Sequence, residues 1–171
     1  MKVVRRYGIE TLFNHNLVAV DADRKTAIFE KLDDPAKPRV EVSYAFMHVT
    51  PPQSSPDFIK NSPLAETTGP QKGYVKIDPA TMRSTLYPNV FALGDAGSSP
   101  NSKTGAAIRK QAPVVVANLL AAMRGKPLGA AYDGYASCPL VTGYGKLILA
   151  EFDYDGKPTP SFPIVDLKKE R

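Results

Sequence analysis

Short apolar runs broken by Asn, Asp and Pro fill the first fifty residues, and such spacing predicts a meander of strands. The runs are residues 9–13, 17–22, 26–32, 40–43 and 46–49, with Asn14-His15-Asn16 and Asp23-Arg24-Lys25 as the first two breaks. Residues 17–22 alternate poorly, Leu17, Ala19 and Asp21 against Val18, Val20 and Ala22, which implies burial on both faces of at least one strand. Ahead of the meander, residues 2–7 read as the last turn of a helix stopped by Gly8.

At Thr50-Pro51-Pro52 the pattern changes. Seven of the chain's 16 prolines fall within residues 51–88, which prevents long helices and favours an extended crossing between two units. Residues 73–78 (GYVKID) read as one short strand within it. The apolar run Val90-Phe91-Ala92-Leu93 then predicts a buried strand, ended by Gly94-Asp95 and followed by a small-residue loop and a helix from Ser102 or Lys103. That order sets Asp95 at the carboxyl end of a strand, where ligands of open α/β sheets bind, and aims the helix's free N–H groups at the same spot. An acidic side chain there accepts hydrogen bonds from sugar or polyol hydroxyls, so the pattern suits a nucleotide cofactor. Gly-Asp after a strand is also common turn chemistry, and both readings stand at this level.

The helix is apolar almost all round, with Ala106, Ala107, Val114, Val115, Ala117, Leu119, Leu120, Ala121 and Ala122, the mark of a buried helix. Pro113 is expected to kink it, and Gly125 and Pro127 to stop it. Residues 132–142 and 146–154 flank Gly143-Tyr144-Gly145 and predict a hairpin, closed by Asp155-Gly156-Lys157-Pro158. From Phe162 the chain reads as an irregular, charged end.

With 171 residues, 43% of them hydrophobic, the chain is long enough for a core in one domain or two small ones. The formal charge of +5 and pI near 9.3 are spread along the sequence. With no basic stripe interleaved with aromatics, they indicate a solvated surface and no nucleic-acid partner. Cys138 is the one cysteine, which excludes an internal disulfide framework and a multi-cysteine zinc site. His15 and His48 sit in separate segments without carboxylates or cysteine at ligand spacing, so both read as structural and no metal is expected. No run approaches the roughly 18 apolar residues of a membrane span, and residues 1–6 lack the pattern of a signal peptide.

Three segments resemble the sulfide:quinone oxidoreductases, flavoproteins of the flavin disulfide reductase superfamily: VSYAFMHVTPPQSSPD (residues 42–57), YPNVFALGDAGSSPNSKTGAA (87–107) and YDGYASCPLVTGYGKLILAEFDY (132–154). They occur in the family's order and, with the stretches between them, cover nearly the whole chain. Gly94-Asp95 is shared by many flavin enzymes, including type II NADH dehydrogenases, and points only to FAD; the segment around Cys138 is much narrower.

The resemblance implies an α/β protein, an incomplete two-Rossmann-domain flavoprotein fold. Residues 1–49 would be the late part of the nicotinamide-domain-like unit, 50–86 a proline-rich crossover, 87–125 the closing strand and helix of the FAD domain, and 126–171 a hairpin and tail with the redox cysteine. It assigns FAD binding to Gly94, Asp95, Lys103 and Thr104, with Asp95 on the ribityl chain and the helix's positive end towards the flavin. Lys103 reads equally as a solvated first-turn lysine. Cys138 would carry the sulfane sulfur as a persulfide, its family counterpart being half of a disulfide that sulfide attacks before two electrons pass through FAD to quinone.

The departures are as informative. The chain has no GxGxxG fingerprint to cradle a pyrophosphate and no partner cysteine. It is therefore expected to be the carboxyl-terminal portion of a longer enzyme, soluble and inactive by itself, binding FAD weakly or not at all. Peripheral membrane contact would come through a further carboxyl-terminal region, and exposed apolar patches would favour self-association into a homo-oligomer. Two other readings stay open: a fragment of another flavin disulfide reductase such as a type II NADH dehydrogenase, or a non-catalytic interaction module built from a degenerate reductase half.

Overall fold

The structure, a computed structural model, describes residues 1–161 and 169–170. The chain divides into two compact units, Met1–Pro52 and Gln53–Arg171.

The first unit opens with helix α1 (Lys2–Arg6), which ends where Gly8 takes a φ of +63°. Strands β1 (His15–Asp21), β2 (Thr26–Lys31) and β3 (Arg39–Ser43) form an antiparallel sheet in that order. The β1–β2 turn is held by Asp21, whose carboxylate takes Arg24 N at 2.9 Å and Arg24 Nε at 2.7 Å. Those hydrogen bonds keep the Asp21 carboxyl below its ordinary value. The poor alternation of β1 has a different cause from the expected two-sided burial. The register shifts between Leu17 and Ala19, a bulge that leaves Val18 and Val20 both exposed. Residues 9–13 and 46–49 are not strands, because no neighbouring strand offers them a ladder; Phe13 and Phe46 are exposed. Buried side chains in this unit are confined to Thr26 and Ala27.

The second unit holds the core: Ile59, Val75, Ile77, Met82, Ala92 and Tyr132 form one cluster, with Leu64, Leu93, Val114 and Val115 packed on it. It is built from loops more than from sheet. Helix α2 (Asp57–Lys60) contributes Ile59. The strand expected at residues 73–78 is reduced to isolated bridges at Val75 and Ile77, and that at 90–93 to one bridge between Arg83 and Phe91. The apolar side chains are buried as the pattern requires, but the backbone groups find single partners. Ala92 N bonds Met82 O at 3.1 Å and Val75 N bonds Ala96 O at 2.8 Å.

A 3-10 turn, Gly94–Ala96, leads through residues 97–103 into helix α3 (Gly105–Met123). Helix α3 starts slightly later than expected, because Thr104 is its N-cap and accepts a hydrogen bond from Ala107 N. It is not buried all round: Gln111 and Asn118 face inward while Val116, Leu119, Leu120 and Met123 are exposed. Strands β4 (Ala136–Gly143) and β5 (Lys146–Phe152) form the hairpin, turning at Tyr144-Gly145 with Gly145 at φ +64°. The end expected from Phe162 falls largely outside the described residues.

Candidate functional site

Gly94 adopts a φ of +58°, a conformation that favours glycine. Its N–H donates to Gln111 Oε1 at 2.9 Å, which fastens the 3-10 turn to α3 one side chain deep in the protein. A methyl group on Gly94 would lie 2.9 Å from Ile108 Cδ1. These contacts hold the turn, which sets Asp95 at the surface. Gln53 Nε2 donates to Asp95 Oδ1 at 2.8 Å; among the described residues Gln53 is its one hydrogen-bond partner.

Lys103 is drawn inward. Its ammonium donates to Ser99 O at 2.8 Å and Gln71 Oε1 at 3.0 Å and lies 4.3 Å from the centre of the Tyr74 ring. Burial pushes its pKa below the lysine range, and the Asp95 carboxylate partly offsets that. Lys103 thus braces the loop before α3, with its charge close enough to Asp95 to be felt. Around Gly105, the first residue of α3, a side chain would meet nothing within 4 Å. Gly105 is exposed, whereas Ala107 in the same turn is buried and its N–H is capped by Thr104.

Cys138 lies apart from these residues in sequence, on β4 opposite Ala150, with an exposed thiol. The root of its hairpin meets the loop before α3. Asn101 Nδ2 donates to Tyr132 Oη at 2.6 Å and to Gly134 O at 3.2 Å. Tyr132 and Tyr154 pack edge to face with ring centres 5.5 Å apart. Burial raises the pKa of both phenols, that of Tyr154 to about 12. A cavity of about 320 Å³ lies here, lined by Asn101, Ser102, Ala136, Phe152 and Tyr154 among others.

The structure thus brings Gly94, Asp95, Lys103 and Thr104 into one region around the start of α3, and ties the Cys138 hairpin to the adjoining loop. Gln53, Asn101, Gln111 and Tyr132, which make these ties, were not singled out by sequence patterning. Gln111 and Asn118 did carry a signal: two amides seven residues apart share a face of a mostly apolar helix. His15 and His48 line one cavity of about 480 Å³ in the first unit, which their spacing did not foretell. No group of three or more His, Cys, Asp or Glu that could hold a metal occurs among the described residues.

No family model matches the chain. Known proteins do. The mitochondrial sulfide:quinone oxidoreductase of Mus musculus is 42% identical over 99% of this chain and that of Dictyostelium discoideum 44% over 99%. The Schizosaccharomyces pombe enzyme of that name is 46% identical over 91%. In sequence, the chain is similar to the sulfide:quinone oxidoreductases along nearly its whole length. It spans about a third of the length of these relatives, 36%, 36% and 32% respectively. Among solved structures, one similar chain belongs to the cryo-EM structure of the Tetrahymena thermophila mitochondrial ATP synthase, F1Fo composite tetramer. The TM-score is 0.76 with 28% identity, covering 92% of this chain and 36% of that one. The chain itself is a small α/β structure with two antiparallel sheets. No helix among the described residues is long and apolar enough to cross a membrane.

Proposed function

We propose that this chain forms the cysteine-bearing part of a sulfide:quinone oxidoreductase and supplies one side of its FAD site. The observation that carries the reading is the convergence at the start of α3. A surface carboxylate, Asp95, and the Thr104-capped start of α3 are held together by a glycine turn and a buried glutamine, in a sequence 42–46% identical to enzymes of that name.

The residues fit such a group. Asp95 would accept hydrogen bonds from ribityl hydroxyls, and the N–H groups of the first turn of α3 favour negative charge nearby. Thr104 keeps its O–H hydrogen while its oxygen caps the helix, and Lys103 adds positive charge behind the loop. FAD, when bound, supplies the two-electron sink that links sulfide to quinone.

Cys138 would hold the transferred sulfur. Hydrosulfide attacks the sulfur of Cys138 in a disulfide, the S–S bond breaks, and Cys138 keeps the added sulfur as a persulfide. The partner leaves as a thiolate carrying the electron pair. That partner cysteine is not in this sequence, so in this reading the chain acts within a larger two-Rossmann-domain assembly. By itself it binds FAD weakly or not at all.

The test is Cys138→Ser in the flavin-containing enzyme. Sulfide-dependent quinone reduction should be abolished while the flavin spectrum is kept; undiminished turnover would point to a different flavin disulfide reductase.

A second reading has an observation of its own. A chain of similar fold stands in a mitochondrial ATP synthase assembly, which favours a non-catalytic interaction module. Under that reading the chain co-purifies with a large complex, and Cys138→Ser has no effect on any sulfide-dependent rate.

A further inference from the structure

Cys138 is the first residue of β4 to emerge from the protein. Ala136 and Ser137 before it are 3% and 7% exposed, whereas Cys138 to Val141 are exposed. Strand pairing alone does not fix that point of emergence, since an isolated two-stranded hairpin is marginal in water. Beside it on β5, Glu151 pairs with Ser137 and is 1% exposed. Its carboxylate accepts from Tyr135 Oη at 2.6 Å, from Ser161 N at 3.1 Å and from the Ser161 hydroxyl.

The line continues without a break. The Tyr135 carbonyl accepts from Tyr132 Oη, and Asn101 Nδ2 donates to Tyr132 Oη. Asn101 Oδ1 accepts from Ser99, whose carbonyl takes the Lys103 ammonium at 2.8 Å. It joins the loop leading into α3 to the residue next to Cys138's strand partner. A buried carboxylate is costly unless fully hydrogen-bonded, and satisfied polar networks specify one geometry more than they add stability. Glu151 and Ser137 face the interior while Cys138 and Ala150 face the other side, as strand alternation requires. Glu151 therefore acts on Cys138 through the backbone, not by touching the thiol.

We propose that Glu151 is a positioning residue for Cys138, pinning the hairpin root, through Tyr135, Tyr132 and Asn101, to the loop that leads into α3. The inference rests on the reading of Cys138 as the sulfur-bearing thiol near the cofactor site, but its test does not depend on turnover. Cys138 is the one cysteine, so a nitroxide attached to it reports its mobility by electron paramagnetic resonance. A control label is placed at Val116→Cys, on the exposed face of α3, in a Cys138→Ser background.

Glu151→Gln keeps the shape but turns an amide NH2 towards one of the donors, and Tyr135→Phe removes a donor outright. Each should raise the mobility of the label at 138 about twofold and leave the label at 116 unchanged. Unchanged mobility at 138, or equal loosening at both positions, overturns the proposal. Intact sulfide turnover in the Cys138→Ser enzyme would sink the sulfur-bearing reading separately, and the spectra would still decide whether Glu151 pins the root.

Discussion

Gln111, buried on α3, accepts the N–H of Gly94 at 2.9 Å, and this bond joins the Gly94–Ala96 turn to the longest helix. Gln111→Ala leaves the Gly94 N–H without a partner in a buried place and should cost about 1–3 kcal/mol. Gly94→Ala forces a side chain into the left-handed region and against Ile108, costing about 1–2 kcal/mol from the backbone alone. Urea denaturation of the two variants and their double mutant measures both. Because they act on one contact, the double mutant should fall short of the sum.

Asn118 should be more costly to replace. It is fully buried, donates to Thr81 O at 3.0 Å and Ala130 O at 2.8 Å, and accepts from Ala130 N at 3.0 Å. Asn118→Ala is expected to lose about 2–4 kcal/mol, and Asn118→Asp at neutral pH at least as much, since it buries a charge and loses the donor. A change within 0.5 °C in melting temperature for either variant would contradict this, as about 1 kcal/mol shifts a chain of this size by roughly 2–4 °C.

Gly134 lies under Tyr154. With φ at +84° and a would-be Cβ overlapping the ring of Tyr154 and 2.8 Å from its backbone N, Gly134→Ala must displace Tyr154 from its edge contact with Tyr132. The expected cost is about 3 kcal/mol or more. Loss of the near-ultraviolet tyrosine dichroism would show it directly.

Two side chains give stability opposite dependences on pH. Burial raises the Glu151 pKa, but hydrogen bonds from Ser161 and Tyr135 outweigh it and leave the group below its ordinary value of 4.5. The carboxylate's contribution is therefore present above that value and is lost as pH falls through the lower folded value. The stability gap between wild type and Glu151→Gln should close on acidification; a gap constant down to about pH 3 would refute it.

Tyr154 runs the other way. Burial pushes its pKa from 10.0 to about 12, so the unfolded chain loses its phenolic proton first. Stability should fall as pH climbs from 10 towards 12, and Tyr154→Phe should remove this part of the alkaline loss. Equal alkaline slopes in the two proteins would count against it.

Sequence patterning located the hairpin, the three paired strands, the cap region of α3 and the turn that presents Asp95. It failed where burial and strand pairing part company. Residues 73–78 and 90–93 have the apolar run of a strand because Val75, Ile77 and Ala92 are core, yet their backbones pair only at isolated points. It also read Leu119 and Leu120 as interior, since composition tells which side chains favour burial and not whether a neighbour is there to bury them. Asn101 and Tyr132 were illegible because their bond joins residues 31 positions apart, and no local spacing encodes that.

Only Thr26 and Ala27 are buried within Met1–Pro52, while the second unit has the whole apolar cluster. Cooperative unfolding scales with what each unit buries, so the three-stranded sheet should open at a much lower free energy than the α3 core. Amide exchange would then resolve two populations of protection. Heating would give a broad early loss of strand signal before the main transition, whose midpoint reports the α3 core alone.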